Sequence, residues 1–179
     1  MCRTSRRRRS GRLAAVVVAL LTIAGAGCDA APPVSTTDGT VAAVADGDTV
    51  VLGDGRRIRL VQIDAPEAAN ECFGHEATTL LRRLTPRGTT VALERDPALD
   101  DVDAYGRPLR YLVAGGTNVN LELVRLGAAV PYFFRGDRGR YADELLTAAR
   151  GARAAGRGLW GACPGARLDP ARGAVTGSR

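Results

Sequence analysis

The chain has 179 residues, with 25 arginines, no lysine and 19 acidic residues, which is enough for one domain with a core and too short for two. Six of the arginines fall in residues 1–27, which hold no acid, so the rest of the chain is neutral despite the overall +6. This excludes a global basic field as the means of holding an anionic partner, which must instead meet individually placed guanidinium groups.

Residues 1–27 read as a secretory signal. "MCRTSRRRRSGR" supplies a basic start, "LAAVVVALLTIAGAG" an apolar run, and small residues follow. The run is short for a membrane span, and an N-terminal anchor helix is the plainer alternative. Cys28, after "GAG", is a candidate for lipidation as the first residue of a bacterial lipoprotein. Ordinary cleavage after Ala26 or Ala30 competes with it. Paired arginines also open twin-arginine signals, but Ser10, Gly11 and Arg12 stand where apolar residues belong. Residues 28–39 form a Pro/Ser/Thr-rich tether.

From residue 40 to 164 the chain reads as one folded domain. Short β-branched runs follow one another: "TVAAVA", "TVVL", "RIRLVQI", "TVALE" and "LRYLVA", set apart by turn signals such as Asp46-Gly47, Asp54-Gly55 and Gly115-Gly116. Asp54-Gly55 predicts a two-residue hairpin. Helices are predicted over His75–Leu84, Asn120–Leu126 with Gly127 as its terminator, and Tyr141–Ala155. Five short strands with three helices predict an α+β fold built on a five-stranded OB-type Greek-key barrel. Residues 165–179, rich in Gly, Ala and Arg, predict a disordered tail.

Two cysteines lie in the folded part of the chain. In an exported protein an isolated pair, Cys72 and Cys163, reads most simply as a disulfide. A Cys72/His75 catalytic pair is the alternative, with no orienting partner in view.

Several short motifs have a plain reading beside a chemical one. Asp46-Gly47-Asp48-Thr49 is a turn, or a turn that aims Asp48 inward at a hard cation. In "RLVQIDAPE", Arg59 and Asp64 lie an odd number of residues apart, so a straight strand puts them on opposite faces and disfavours a simple pair. A bulge or the bend at Pro66 would re-aim the acids, while Glu67 taken alone reads as a cap for the next segment. Asp103-Ala104-Tyr105-Gly106-Arg107 is a turn with an arginine. Tyr132-Phe133-Phe134 is core or a helix-flanking plug, with base stacking as the alternative.

In sequence order, "DGDTV", "IRLVQIDAPE", "DAYGRPL", "NLELVRLGAAVPYFF" and "GLWGACP" together resemble the thermonuclease family, whose best-known member is staphylococcal nuclease. The resemblance runs from about Val41 to Pro164. It implies a Ca²⁺-dependent nuclease that cleaves DNA and RNA at the P–O5′ bond and leaves 3′-phosphates, with single-stranded or frayed substrates preferred. It implies Asp48, Asp64 and the Ala65 carbonyl as calcium ligands and Asp46 as an acid behind them. Arg59 and Arg107 would grip the phosphate, and Glu67 would be the general base. Tyr105 and Tyr132 would contact the substrate. The sequence departs from the family pattern at Ala104 and Phe134, and in the short acidic "AANECFGHE" that replaces a basic loop. The expected protein is an exported monomer, either secreted or tethered to the outer face of the membrane through Cys28. A non-catalytic OB module binding nucleic acid or a cell-envelope partner is the competing reading, and the presence of Arg59, Glu67 and Arg107 weighs against it.

Overall fold

A computed structural model describes residues 36–174 and 176. The signal, Cys28 and most of the tether lie outside the described residues. Among those described, no helix is long and apolar enough to cross a membrane.

Strand β1 (Thr36–Asp46) is the longest, and the first part of it pairs with β5 (Thr90–Glu94) while the second pairs with β2 (Thr49–Leu52). Register shifts after Val41 and Val44 bend it between the two partners, as a strand turning a barrel corner must do. The strand begins at Thr36, so the last residues of the expected tether belong to the sheet. Strand β2 continues antiparallel into β3 (Arg57–Leu60), and β5 into β6 (Leu109–Ala114). Parallel pairing of β3 with β6, Arg59 opposite Leu109, closes a five-stranded barrel of the OB type. Short β7 (Thr117–Asn118) extends β6, and β4 (Ile63–Asp64) pairs separately with β8 (Val130–Pro131).

The hairpin between β2 and β3 is one residue longer than predicted. Leu52 and Arg56 exchange the closing hydrogen bond around Gly53-Asp54-Gly55. Gly55 takes the left-handed φ of +88° that such three-residue loops demand.

Helices α1 (Gly74–Leu84), α2 (Val119–Arg125) and α3 (Ala142–Ala154) match the predicted segments within a residue or so, and a short α4 (Leu159–Ala162) follows. Their apolar faces cover the barrel: Ala77 and Leu81 from α1, Leu123 from α2, and Leu145 and Ala149 from α3 join Val41, Ile58, Leu60 and Leu112 in one core. Asn118 caps α2 by accepting from the Leu121 N–H at 3.1 Å. Gly127, at φ +71°, ends it as expected.

Cys72 and Cys163 are disulfide-bonded, 91 residues apart. Closing a loop of that length removes unfolded-state entropy worth about 4–5 kcal/mol in the chain-entropy model. The bond sits in a second small cluster with Val130, Leu159, Phe73 and Trp160.

Residues 165–174 stay packed on the domain. Leu168 packs on the main core, and Ala166 and Ala174 pack on the disulfide cluster. The Phe133 N–H donates to the Pro170 carbonyl at 2.7 Å. The expectation of disorder is corrected for residues 165–174. Composition predicted disorder because few of these residues are large and apolar, but backbone hydrogen bonds and small side chains filling the cluster hold the segment instead.

Candidate active site

One run of polar contacts joins five elements of the fold. The Arg107 guanidinium reaches Thr49 Oγ1 at 3.4 Å, and that hydroxyl donates to Asp48 Oδ1 at 3.2 Å. Asp48 Oδ2 meets Arg59 Nη1 at 2.9 Å, and Arg59 Nη2 meets Asp64 Oδ1 at 2.7 Å. Asp64 Oδ2 then accepts from the Ala174 N–H at 2.8 Å.

Each member is placed by local backbone. Asp48 lies in the tight turn between β1 and β2, where Asp46 Oδ1 accepts from the Asp48 N–H at 3.1 Å. Gly47 must be glycine there, because a Cβ would lie 2.6 Å from that of Ala65. That close approach lets Asp48 reach across and accept from the Ala65 N–H at 3.0 Å. Asp48 is therefore both turn residue and inward-pointing acid.

Arg59 and Asp64 do form an ion pair, which the straight-strand expectation disfavoured. The predicted run "RIRLVQI" is not one strand. It breaks at Val61-Gln62, where Gln62 adopts φ +63°, and β4 restarts towards a different partner. The break lies before Asp64 and not at Pro66, and it cancels the parity that would have put the two side chains on opposite faces. Arg59 Nη1 also donates to the Leu60 and Ile63 carbonyls at 3.0 and 2.9 Å, so the guanidinium itself spans the break.

Gln62 is held in its uncommon conformation by three bonds to the segment after β8. Its amide donates to the Asp137 carbonyl at 2.8 Å and accepts from the Gly139 N–H at 2.9 Å, while its carbonyl accepts from the Tyr132 N–H at 3.0 Å. This residue gave no sequence signal, yet it fixes both the break in the site strand and the loop bearing Tyr132 and Phe134.

Arg107 hangs on the loop between β5 and β6. Asp103 accepts from its Nε at 2.6 Å and from the N–H groups of Tyr105 and Arg107 at 2.9 Å each. Burial alone would raise the Asp103 pKa, but these donors and the Arg107 charge together hold it below the usual carboxylate range. Asp103 was legible only as a turn residue. Its role in aiming Arg107 follows from a turn closed over an Asp and an Arg four residues apart. Tyr105 is 86 % exposed, with the Arg107 guanidinium 5.5 Å from its ring centre.

Arg59, Tyr105, Arg107, Tyr132, Phe134 and Arg135 are among the residues lining a cavity of about 640 Å³. The aromatic triplet divides: Phe133 is buried, Phe134 is half exposed, and Tyr132 faces the cavity. Glu67 is exposed and joins none of these contacts among the described residues. Its backbone is nonetheless fixed, since its carbonyl accepts from the Glu71 N–H at 3.0 Å and abuts Gly74 at the start of α1. His75 lies on a separate shallow surface with Phe73 and Arg83, and Cys72 is in the disulfide, which removes the Cys/His alternative.

The donor set near Asp48 suits a hard cation. Asp46 and Asp64 add negative charge near the buried Asp48, and carboxylates offer the oxygen atoms a hard cation prefers. No cluster of three His, Cys, Asp or Glu side chains spaced for a metal occurs among the described residues, so two carboxylates, a backbone carbonyl and solvent would have to suffice. The Asp48 pKa is pushed up to about 7, first by burial and then by Asp46 and Asp64, against the pull of Arg59 and the Ala65 N–H. A bound cation would relieve a carboxylate this reluctant to ionise.

The family model described as "Staphylococcal nuclease homologue" matches residues 57–162. An endonuclease, YhcR, of Bacillus subtilis is 33 % identical over 140 residues, covering 69 % of this chain and 11 % of its own length. A thermonuclease of Staphylococcus hyicus is 30 % identical over 126 residues, 65 % of this chain and 72 % of its own. An uncharacterized endonuclease of Haemophilus influenzae is 33 % identical over 126 residues, 67 % and 64 % respectively. With a closed OB-type barrel, the matched segment carrying Arg59, Asp64, Glu67 and Arg107, and these relatives, the chain belongs to the staphylococcal nuclease family.

Proposed function

We propose that the protein is an exported, calcium-dependent nuclease that hydrolyses phosphodiester bonds of DNA and RNA with little sequence preference. The observation that carries this reading is the unbroken path Arg107–Thr49–Asp48–Arg59–Asp64, which joins two carboxylates to two guanidinium groups that line an open cavity.

A phosphodiester is anionic and repels an oxygen nucleophile, so its charge must be met before water can attack. Arg59 and Arg107 each present a planar fork able to donate two hydrogen bonds to phosphate oxygens. Their bonds should tighten as charge grows there. Asp103 and Thr49 hold the Arg107 fork, and the Leu60 and Ile63 carbonyls hold that of Arg59. Asp48, Asp64 and the Ala65 carbonyl would hold calcium, with Asp46 behind Asp48. Bound there, calcium would polarise the phosphoryl group and offset transition-state charge. Glu67, with a free carboxylate on a fixed backbone, would take the proton of the attacking water. Cleavage at P–O5′ would leave 3′-phosphate ends. Tyr105 and Tyr132 would pack against the nucleotide in the cavity, which suits a single-stranded or frayed end better than a duplex.

Export is supported by the basic and apolar pattern of residues 1–27 and by a disulfide of the kind oxidising compartments keep. Mass spectrometry of the mature protein would show whether Cys28 carries lipid or the chain is freely secreted. The protein is read as a monomer.

The deciding experiment is cleavage of single-stranded DNA by the purified protein with calcium, with and without a chelator, beside Arg107→Ala. Calcium-dependent cleavage, lowered about 10²–10³-fold in the variant, is expected. No cleavage by the parent with calcium would point to the non-catalytic OB module.

Calcium affinity should also depend on pH. Below about pH 7 the Asp48 carboxyl holds its proton in the metal-free protein, so calcium must displace it. The apparent affinity is expected to fall towards tenfold per pH unit below 7, read by calorimetry. Stability without metal shifts in the matching sense. Because folding raises this pKa above its unfolded value of 3.8, Asp48 favours the fold below about pH 4, and that contribution is lost as pH rises to 7. In Asp48→Asn this slope should vanish, and with it calcium binding.

A further inference from the structure

We propose that residues 168–174 form a strap that positions Asp64, with the Ala174 N–H as the outer donor that orients its carboxylate towards calcium. This rests on the calcium reading above.

Four observations carry it. Asp64 Oδ1 is held by Arg59, and its other oxygen, Oδ2, accepts from the Ala174 N–H at 2.8 Å. The approach requires glycine at the preceding position. A Cβ on Gly173 would collide with Asp64 Oδ2, and Gly173 is buried at φ +75°, where other residues are strained. The strap is also anchored at its start and its end. Pro170 accepts from the Phe133 N–H, the Gly173 N–H returns to the Asp169 carbonyl at 3.1 Å, and Ala174 packs into the cluster built on the Cys72–Cys163 disulfide. Finally, that cluster contains Val130, the residue paired with Asp64 across β4 and β8. The same small core therefore seats the β4 partner strand and the donor that reaches Asp64.

The chemistry is that of outer-shell support. A ligating carboxylate free to rotate must be ordered when the ion binds, whereas one already fixed at both oxygens is not. Each oxygen has a second lone pair, so a hydrogen bond to Oδ2 orients the group without using up its capacity to coordinate. Loss of such a partner commonly costs 10–100-fold in metal affinity. Ala174 is thus a positioning residue, and its contribution is made through Asp64.

The test is calorimetric titration of the full chain with calcium chloride, without nucleic acid, for the parent, Gly173→Ala, Ala174→Pro and Ala174→Ser. Gly173→Ala pushes the strap off Asp64, and Ala174→Pro removes the donor. Ala174→Ser keeps the N–H. The first two are expected to weaken calcium 10–100-fold and the third to match the parent. In cleavage assays the half-saturating calcium concentration should rise in step, while kcat at saturating calcium stays within about twofold. A purely structural role would lower kcat or the unfolding temperature without this split. A chain ending at Asp169 removes Gly173 and Ala174 with the rest of the tail and serves if either point variant misfolds. Parent-like or tighter calcium binding by the strap variants would overturn the proposal. Failure of the parent itself to bind calcium would instead overturn the calcium reading on which it rests.

Discussion

Arg59→Ala is expected to lower kcat/KM by about 10³-fold or more and to destabilise the protein by about 3–5 kcal/mol. The two losses have one origin. Arg59 is the one cation paired with both Asp48 and Asp64 among the described residues, and all three are partly or wholly removed from water. Deleting it leaves two carboxylates facing each other, with Asp48 already disposed to stay protonated. It also frees the Leu60 and Ile63 carbonyls that the guanidinium ties across the break in the strand. Denaturant unfolding without calcium and steady-state cleavage with it measure the two effects separately. Arg59→Lys is the informative companion. An ammonium restores the charge but not the fork, so it should recover part of the stability and little of the activity. Full activity in Arg59→Lys would show that charge alone suffices and would remove the bidentate role.

Glu67→Gln is expected to lower kcat about 10²–10⁴-fold, with KM, half-saturating calcium and stability nearly unchanged. The contrast with Arg59 follows from burial. Glu67 is exposed and outside the polar path, so its removal strands no buried partner, and exposed substitutions of this kind stay within about ±0.5 kcal/mol. A loss confined to kcat is the signature of a group that acts on water in the transition state. Unchanged kcat in Glu67→Gln would take the base role away from this residue. A large loss of calcium affinity would move it among the ligands.

Much of the architecture was legible because it depends on local pattern. The runs around Ile58 and Val91 alternate as half-buried strands do, and α1 and α3 show the spacing of Ala77, Leu81, Leu145 and Ala149 that the core uses. Gly127 ended α2 as a left-handed glycine should. The cysteine pair was read from its isolation in a chain expected to be exported, and it is bonded. The structure brings the motif residues Asp48, Arg59, Asp64 and Arg107 together through Thr49.

What failed did so where geometry is set by distant partners. Strand parity predicted that Arg59 and Asp64 would face apart, and it would have been right for an unbroken strand. The break comes from Gln62, whose φ is held by Asp137, Gly139 and Tyr132, some 70 residues further on. Thr49 and Asp103 look like ordinary turn residues until the folded chain sets them against Arg107. The tail seemed too poor in large apolar groups to order, but it binds through backbone hydrogen bonds and a glycine that allows close approach, and neither leaves a periodic trace.

By itself, then, the sequence determined the elements, the barrel class, the disulfide and the charged motif residues to look for, since each depends on residue type and near-neighbour spacing. Only the tertiary structure decided how those charges meet: Arg59 lies between Asp48 and Asp64, Glu67 stands free at the surface, and Ala174 closes on Asp64 from the far end of the chain. Pairing of this kind is settled by long-range contacts that bend the backbone, and a strand's own pattern carries no record of the contact that will break it.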